Sequence, residues 1–146
     1  MLEEYFLCRS KPMKSFLEPL RRSGQPSLVL TNTRNDQVVA HTLLRAFDSA
    51  SRNQGLLKRD FLEEGSALVI APTNAIHTFF MRFAIDVAFV ARDGRVLKVR
   101  RAMRPWRMSA AWGGFAVVEL AAGALDRAGV QPGDLLRIDL SSHLVI

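Results

Sequence analysis

Cysteine is nearly absent from this chain: its 146 residues hold one, Cys8. No internal disulfide can form, so the oxidative stapling that supports many small secreted domains is excluded, and a reducing compartment is the expectation. Long apolar runs are missing too. The longest, Ala67–Ala71 and Val87–Ala91, fall far short of the roughly 20 residues that cross a bilayer as a helix, so no transmembrane segment is expected. Near the start, Glu3, Glu4, Arg9, Lys11, Lys14, Glu18, Arg21 and Arg22 follow at short intervals. They leave no apolar h-region for a secretory signal, and a cytoplasmic protein is the expectation.

Signatures of common chemistries are equally scarce. There is no Gly-rich phosphate loop, no Gly-x-Ser-x-Gly elbow and no His-Glu-x-x-His helix, which excludes a P-loop enzyme, an α/β-hydrolase and a zincin protease. The three histidines, His41, His77 and His143, are 36 and 66 residues apart. That spacing fits no zinc finger, and one cysteine cannot complete a sulfur site, so neither a metal nor a cofactor is expected. No repeat of 20–50 residues is visible, which excludes solenoids and propellers.

What is present is an ordinary globular composition, 49% hydrophobic and 23% charged, in a chain of single-domain length. The net charge of +6 is concentrated. Arg92, Arg95, Lys98, Arg100, Arg101, Arg104 and Arg107 stand against Asp93 alone, and the rest of the chain balances at thirteen basic and thirteen acidic groups. Such a stripe attracts phosphates or acidic surfaces; its plain alternative is a solvated strand face.

Residues 1–26 contain Pro12, Pro19 and Pro26 and no sustained period. They read as an amino-terminal arm, docked or mobile, ahead of a single β-rich domain over 27–146. Within that domain Leu28–Thr33 and Val38–Leu44 read as strands around an Asn35–Asp36 turn. Asp48 or Ser49 caps a short helix that Gly55 stops. Ser66–Ala71 is an apolar strand ended by Pro72. Ala84–Arg92 and Arg95–Met103 flank Asp93–Gly94, a type I′ hairpin signal. Phe115–Leu120 is a further strand, and Gly123–Ala128 a second helix closed by Gly129. Pro132–Asp134 then turns the chain into Leu135–Leu140. The sum is a mainly β (α+β) fold: a compact small barrel or folded-over sheet of about seven short strands with two short helices.

Side chains alternate along an extended chain, so His77, Phe79 and Met81 share a face. Asp86 between Ile85 and Val87, Glu119 inside Val117–Leu120, and Arg52 on the short helix all pose one problem: a buried charge needs a partner. The plain solution pairs Arg52 with Asp86 or Glu119 as a structural bridge, with Phe79, Phe80, Met81 and Phe83 as core. The loop Ala102–Gly114 carries both tryptophans, Trp106 and Trp112, and serves either as a stacking platform or as a plug over an open barrel end.

Taken in order, Arg52-Asn53-Gln54-Gly55-Leu56-Leu57, Leu68–Ile70, His77–Met81, Asp86, Asp93-Gly94, Glu119-Leu120-Ala121-Ala122-Gly123 and Gly129 with Pro132-Gly133-Asp134 resemble the domain of unknown function 192 family over residues 49–138. The resemblance implies a small, mostly β domain with short helices and brings no established activity. It marks Arg52, His77, Met81, Asp86, Glu119 and Asp134 as family-like polar or functional positions, and Gly55, Gly123, Gly129 and Gly133 as backbone requirements. Phe80 stands where relatives often carry tryptophan, and Leu57 where many carry methionine.

The leading expectation is a binding or accessory domain for a small molecule or a protein, without a committed catalytic residue. His77, Met81, Asp86, Trp106 and Trp112 are expected around its groove, supported by Arg52, Glu119 and Asp134. One alternative is an enzyme with His77 as general base oriented by Asp86 or Glu119. Another is binding of nucleic acid or an acidic partner through Arg92–Arg107, which no nucleic-acid-binding motif favours.

Overall fold

The computed structural model describes residues 15–22 and 27–141. The elements follow in the order α1 (Glu18–Arg21), β1 (Leu28–Asn32), β2 (Gln37–Ala40), β3 (Thr42–Ala46), α2 (Ser49–Gln54), β4 (Ser66–Ile70), β5 (Ala75–His77), β6 (Ile85–Val90), β7 (Val96–Met103), β8 (Met108–Ala110), β9 (Ala116–Ala121), α3 (Ala124–Arg127) and β10 (Leu136–Leu140). Cys8 and His143 lie outside the described residues, as does most of the expected arm. Phe16, Leu17 and Leu20, also read from sequence as arm, are buried in the core.

Three strands that are apolar but for Ser66, Asp86 and Glu119 explain the architecture. β4, β9 and β6 are the interior of a five-stranded sheet ordered β3-β4-β9-β6-β7, and they are buried almost throughout. Residues of alternate parity go to opposite faces. Ala67, Val69, Ala88, Val90, Val118 and Leu120 enter one core together with Leu30, Leu136 and Ile138 from the three-stranded sheet β10-β1-β2. Leu68, Ile70, Val87, Phe89 and Val117 enter a second core, shared with Leu56, Leu62 and Met81. A strand covered on both faces shows no polar alternation, which is why these segments read as plain apolar runs.

The fold is mostly β, as read from sequence, but three details differ. The sheets do not close into a barrel; there are separate five-, three- and two-stranded sheets, with ten strands and three helices among the described residues. The expected strand Val38–Leu44 breaks at His41, where the His41 and Thr42 amides both donate to Gly65 O at 2.8 and 3.1 Å. That shared acceptor turns the chain from one sheet into the other, and β3 then runs parallel to β4 with α2 as the crossover. Finally, Asp93–Gly94 is not a type I′ turn, because only Gly94 has positive φ (+97°). Ala91 N–H donates to Arg95 O and Gly94 N–H returns to Ala91 O, so the connection holds one residue more than a two-residue loop. A Cβ on Gly94 would stand 2.3 Å from Leu136 O, so the close passage of β10 requires glycine there.

Asp86 is where this architecture answers the buried-charge problem. It lies between Ile85 and Val87 of the second core and therefore points to the opposite face, fully buried. Its Oδ1 accepts from Ala102 N (2.8 Å), and its Oδ2 from Gly123 N (3.1 Å) and Leu125 N (3.0 Å). Gly123 is the N-cap of α3 and has no side chain to serve the helix, so a strand carboxylate caps it instead. Ala102 presents its amide from a left-handed backbone, φ +46°. Asp86→Asn exchanges an acceptor oxygen for a donor facing N–H groups, and should lower unfolding stability by about 3 kcal/mol in urea titrations; a loss under about 1 kcal/mol would contradict this role.

Candidate functional site

The second core is incomplete at one place. Between α2 and β5 a cavity of about 500 Å³ is lined by Arg52, Asn53, Gln54, Gly55, Leu56, Leu57, Ile70, Thr73, Ala75, Ile76, His77, Phe80, Met81 and Glu119. Local chemistry builds its first wall. Asp48 Oδ1 accepts from Ser51 N at 2.8 Å to start α2, and Gly55 (φ +46°) ends it. The reversal at Gly55 lets Leu56 become fully buried, where a continued helix would have carried it elsewhere. The opposite wall is β5, held by β8 through Ala75↔Ala110, Ile76↔Ser109 and His77↔Met108.

Glu119 forms the floor. It lies on β9, the middle strand of the sheet, between Leu68 and Val87 on the neighbouring strands. Both neighbours belong to the second core. The residue is 4% exposed, and its Oε2 is buried without a hydrogen-bond partner among the described residues. Burial in these apolar surroundings pushes its carboxyl up to about 7, because desolvation disfavours the charged form. At neutral pH a substantial fraction is therefore the neutral acid, able both to donate and to accept.

The lip is aromatic. Phe80 is 69% exposed with φ +64°, and Trp106 is 56% exposed with φ +65°. Their rings are 4.7 Å apart. Phe79 continues the array, 5.8 Å from Trp106 and 4.9 Å from His77. Left-handed backbone at bulky residues is costly and survives only where the surroundings dictate it. Here Thr78 dictates it. Its buried hydroxyl donates to Arg104 O (2.6 Å) and accepts from Arg107 N (2.9 Å), while its carbonyl accepts from Met81 N and Trp106 N. One threonine thus fixes both turns that carry the lip.

Of the residues expected at the groove, His77 and Met81 line the cavity, as do Arg52 and Glu119, which were expected behind it. Trp106 reaches the cavity only through Phe80. Asp86 does not belong to it: its carboxylate lies on the other face of the sheet, bonded to three amides, so it cannot orient His77. His77 is exposed, and its Nδ1 accepts from Phe79 N at 3.3 Å. Trp112 stands 98% exposed in the turn after β8 and lines no part of the cavity. The Ala102–Gly114 loop is no plug over a barrel end, since it contributes β8 to a two-stranded sheet.

The expected bridge from Arg52 to Asp86 or Glu119 is absent among the described residues. Arg52 Nη1 donates to Phe47 O (3.1 Å) and Ala71 O (3.5 Å), and Nη2 to Ser49 Oγ (3.3 Å). Asp134 is also away from the cavity. It accepts from Asn32 Nδ2 (2.9 Å), Arg34 Nε (2.7 Å) and Gln131 N (3.0 Å), bracing the turn before β10 against β1. The Arg34 hydrogen bond is the main reason its carboxyl lies below the ordinary range. Thr78, Leu56 and Leu57 were not singled out from sequence as site residues. Thr78 carries no local signal, because the partners of its hydroxyl lie 26–29 residues away.

The basic segment is divided between the two faces of β7. Arg101 turns towards α3, where Asp126 Oδ1 (2.6 Å) and Val130 O (2.9 Å) hold it. Lys98 lies over the Phe89 ring of the second core and donates to Ala110 O at 3.0 Å. Arg92 stacks on Phe115, and Arg107 donates to Trp106 O. Arg95, Arg100 and Arg104 are exposed. A roomier groove, about 730 Å³ between α1 and β10, contains Arg137 and Asp139 paired with each other and no buried polar atom without a partner.

No curated protein matches the chain at a significant level. Two solved structures resemble it. One is a protein of unknown function from Novosphingobium aromaticivorans DSM 12444, 25% identical, with a TM-score of 0.66 over 80% of this chain and 89% of the other. The second, from Sinorhizobium meliloti 1021, is provisionally named a transcription regulator. It is 22% identical, with a TM-score of 0.66 over 76% of this chain and 91% of its own, and at that identity it shows the fold alone. The family model described as an uncharacterized ACR, DUF192, matches residues 30–138, which takes in every residue lining the cavity. The chain therefore belongs to the domain of unknown function 192 family.

Proposed function

We propose that this chain is a binding domain for a small molecule, which occupies the cavity between α2 and β5 with a polar group on Glu119. The carrying observation is Glu119 itself. A buried polar atom without a partner is rare in native proteins and costs about 1–3 kcal/mol. An orphaned acid on the floor of a cavity of about 500 Å³ with mixed polar and apolar walls is most simply explained by a ligand that completes its hydrogen bonds. The exposed, strained pair Phe80 and Trp106 supports the same reading, since such backbone outliers gather at ligand clamps.

His77 acting as a base has no geometric support: Asp86 is bonded to three amides on the other face of the sheet, and no hydrogen bond joins His77 to Glu119 among the described residues. Nucleic-acid binding has little more. The basic segment presents no single face, and the one relative named for regulation shares the fold alone. The single cysteine supports a cytoplasmic setting. Among the described residues no helix is long and apolar enough to cross a membrane.

Two measurements test the reading. Between its ordinary value of 4.5 and about 7, Glu119 keeps in the fold a proton that it loses in the unfolded chain. The native state then binds more protons, so stability falls as pH rises through that window and levels off above it. Glu119→Gln has no such titration. Its unfolding free energy relative to wild type should therefore rise by about 3 kcal/mol between pH 5 and pH 9, and a flat difference would mean that Glu119 is not a desolvated acid. Phe80→Gly should leave stability unchanged or raise it by about 1 kcal/mol, because glycine accepts positive φ and the ring is exposed. It should weaken cavity ligands severalfold in titrations that follow the Met81 methyl resonance. A large loss of stability would make Phe80 a packing residue instead.

A further inference from the structure

We propose that the cavity selects small organic anions, holding the anionic group at Arg52 and a neutral hydrogen-bonding group at Glu119 with an apolar body between them. This rests on the small-molecule reading above and adds the charge and chemical class of the ligand.

The argument begins with what is charged in the cavity wall. Arg52 is the only lining side chain that is ionised at all ordinary pH values. Its three recorded acceptors, two carbonyls and a serine hydroxyl, are all neutral. Among the described residues no carboxylate forms an ion pair with it. At the helix end beside it, Ser51 O is capped by Gly55 N–H and Gln54 O by Leu57 N–H. A guanidinium so placed retains unused donors and an uncompensated charge, the arrangement suited to a carboxylate.

At the floor, Glu119 would offer a second charge only where it ionises, and burial opposes that near neutrality. A cationic ligand would be repelled by Arg52, which has no counter-charge among the described residues. An anion meets no such obstacle there. Its second polar group, a hydroxyl or carbonyl, can pair with the neutral acid, while Leu56, Ile70, Ile76 and Met81 surround the body. Both ends are then answered, and the energetic penalty of the orphaned carboxyl is removed on binding.

The test uses three probes on one ring: 4-hydroxybenzoate, 4-hydroxybenzamide and 4-hydroxybenzylamine, respectively anionic, neutral and cationic at pH 7. The full chain is labelled on its five methionine methyl groups. Met81 reports the cavity, and the buried Met103 reports the surrounding core. The benzoate should shift the Met81 methyl with a Kd at least tenfold tighter than either of the other two. Arg52→Gln should bring the benzoate to the level of the amide, whereas Arg52→Lys should retain the order of preference. An unchanged Met103 signal certifies that each variant is folded. Equal affinities, or the amine binding tightest, would overturn selection of anions and leave the cavity reading standing. If none of the three moves Met81 at saturating concentration, the cavity reading falls, and anion selection falls with it.

Discussion

A carboxyl group in the middle of an apolar sheet must either be surrounded by hydrogen-bond donors or remain protonated. This protein holds one of each on adjacent strands. Asp86 of β6 is the cross-strand partner of Leu120, and Glu119 of β9 is the partner of Val87. The two acids are thus one register step apart but emerge on opposite faces. Asp86 collects three backbone amides, and in doing so fixes the left-handed Ala102 on β7 and the start of α3. Glu119 collects none and is left as an acid under a cavity. One face is structurally complete, and the other leaves an unpartnered acid under a cavity.

Much of this architecture was legible wherever the signal is local. Asp48, Gly55 and the apolar runs of β4, β6 and β9 each act within a few residues, so helix, stop and strands were read close to their observed places. The three-residue strands β5 and β8 were not. Neither has a period long enough to register, and each exists because the other pairs with it. The break at His41 was hidden for a similar reason, since its cause is the carbonyl of Gly65 more than twenty residues along the chain. The α2 crossover between parallel strands followed from that same turn and was equally invisible.

For the site, residue type was readable and direction was not. Arg52, His77, Met81 and Glu119 were all recognisable as candidates, and all four line one cavity. Asp86 was placed with them because it resembles Glu119 in context: a carboxylate flanked by β-branched and aliphatic residues. In a strand covered on both faces, neighbours of either parity are apolar, so the sequence of β6 cannot disclose towards which core its polar residue points. Only the pairing of β6 with β9 decides it. Trp112 shows the converse case, a residue of the right chemistry in the right loop whose direction is set by the β5–β8 pairing.

The lip and the floor of the cavity obey one logic although no side chain links them. Phe80 and Trp106 adopt backbone angles that relaxed chains avoid, and Glu119 lacks partners that relaxed structures supply. Each feature carries a cost in the free molecule. Each persists because its surroundings leave no alternative: Thr78 locks the two turns through six hydrogen bonds, and the cross-strand neighbours of Glu119, Leu68 and Val87, are both apolar. The lip differs from the floor in what would remove its cost. Glycine relieves Phe80 within the protein itself, whereas the Glu119 acid, kept as it is, needs a group from outside. Neither the exposed rings nor the orphaned acid improves the packing of the chain that carries them, and it is this shared cost that the proposed occupant would remove.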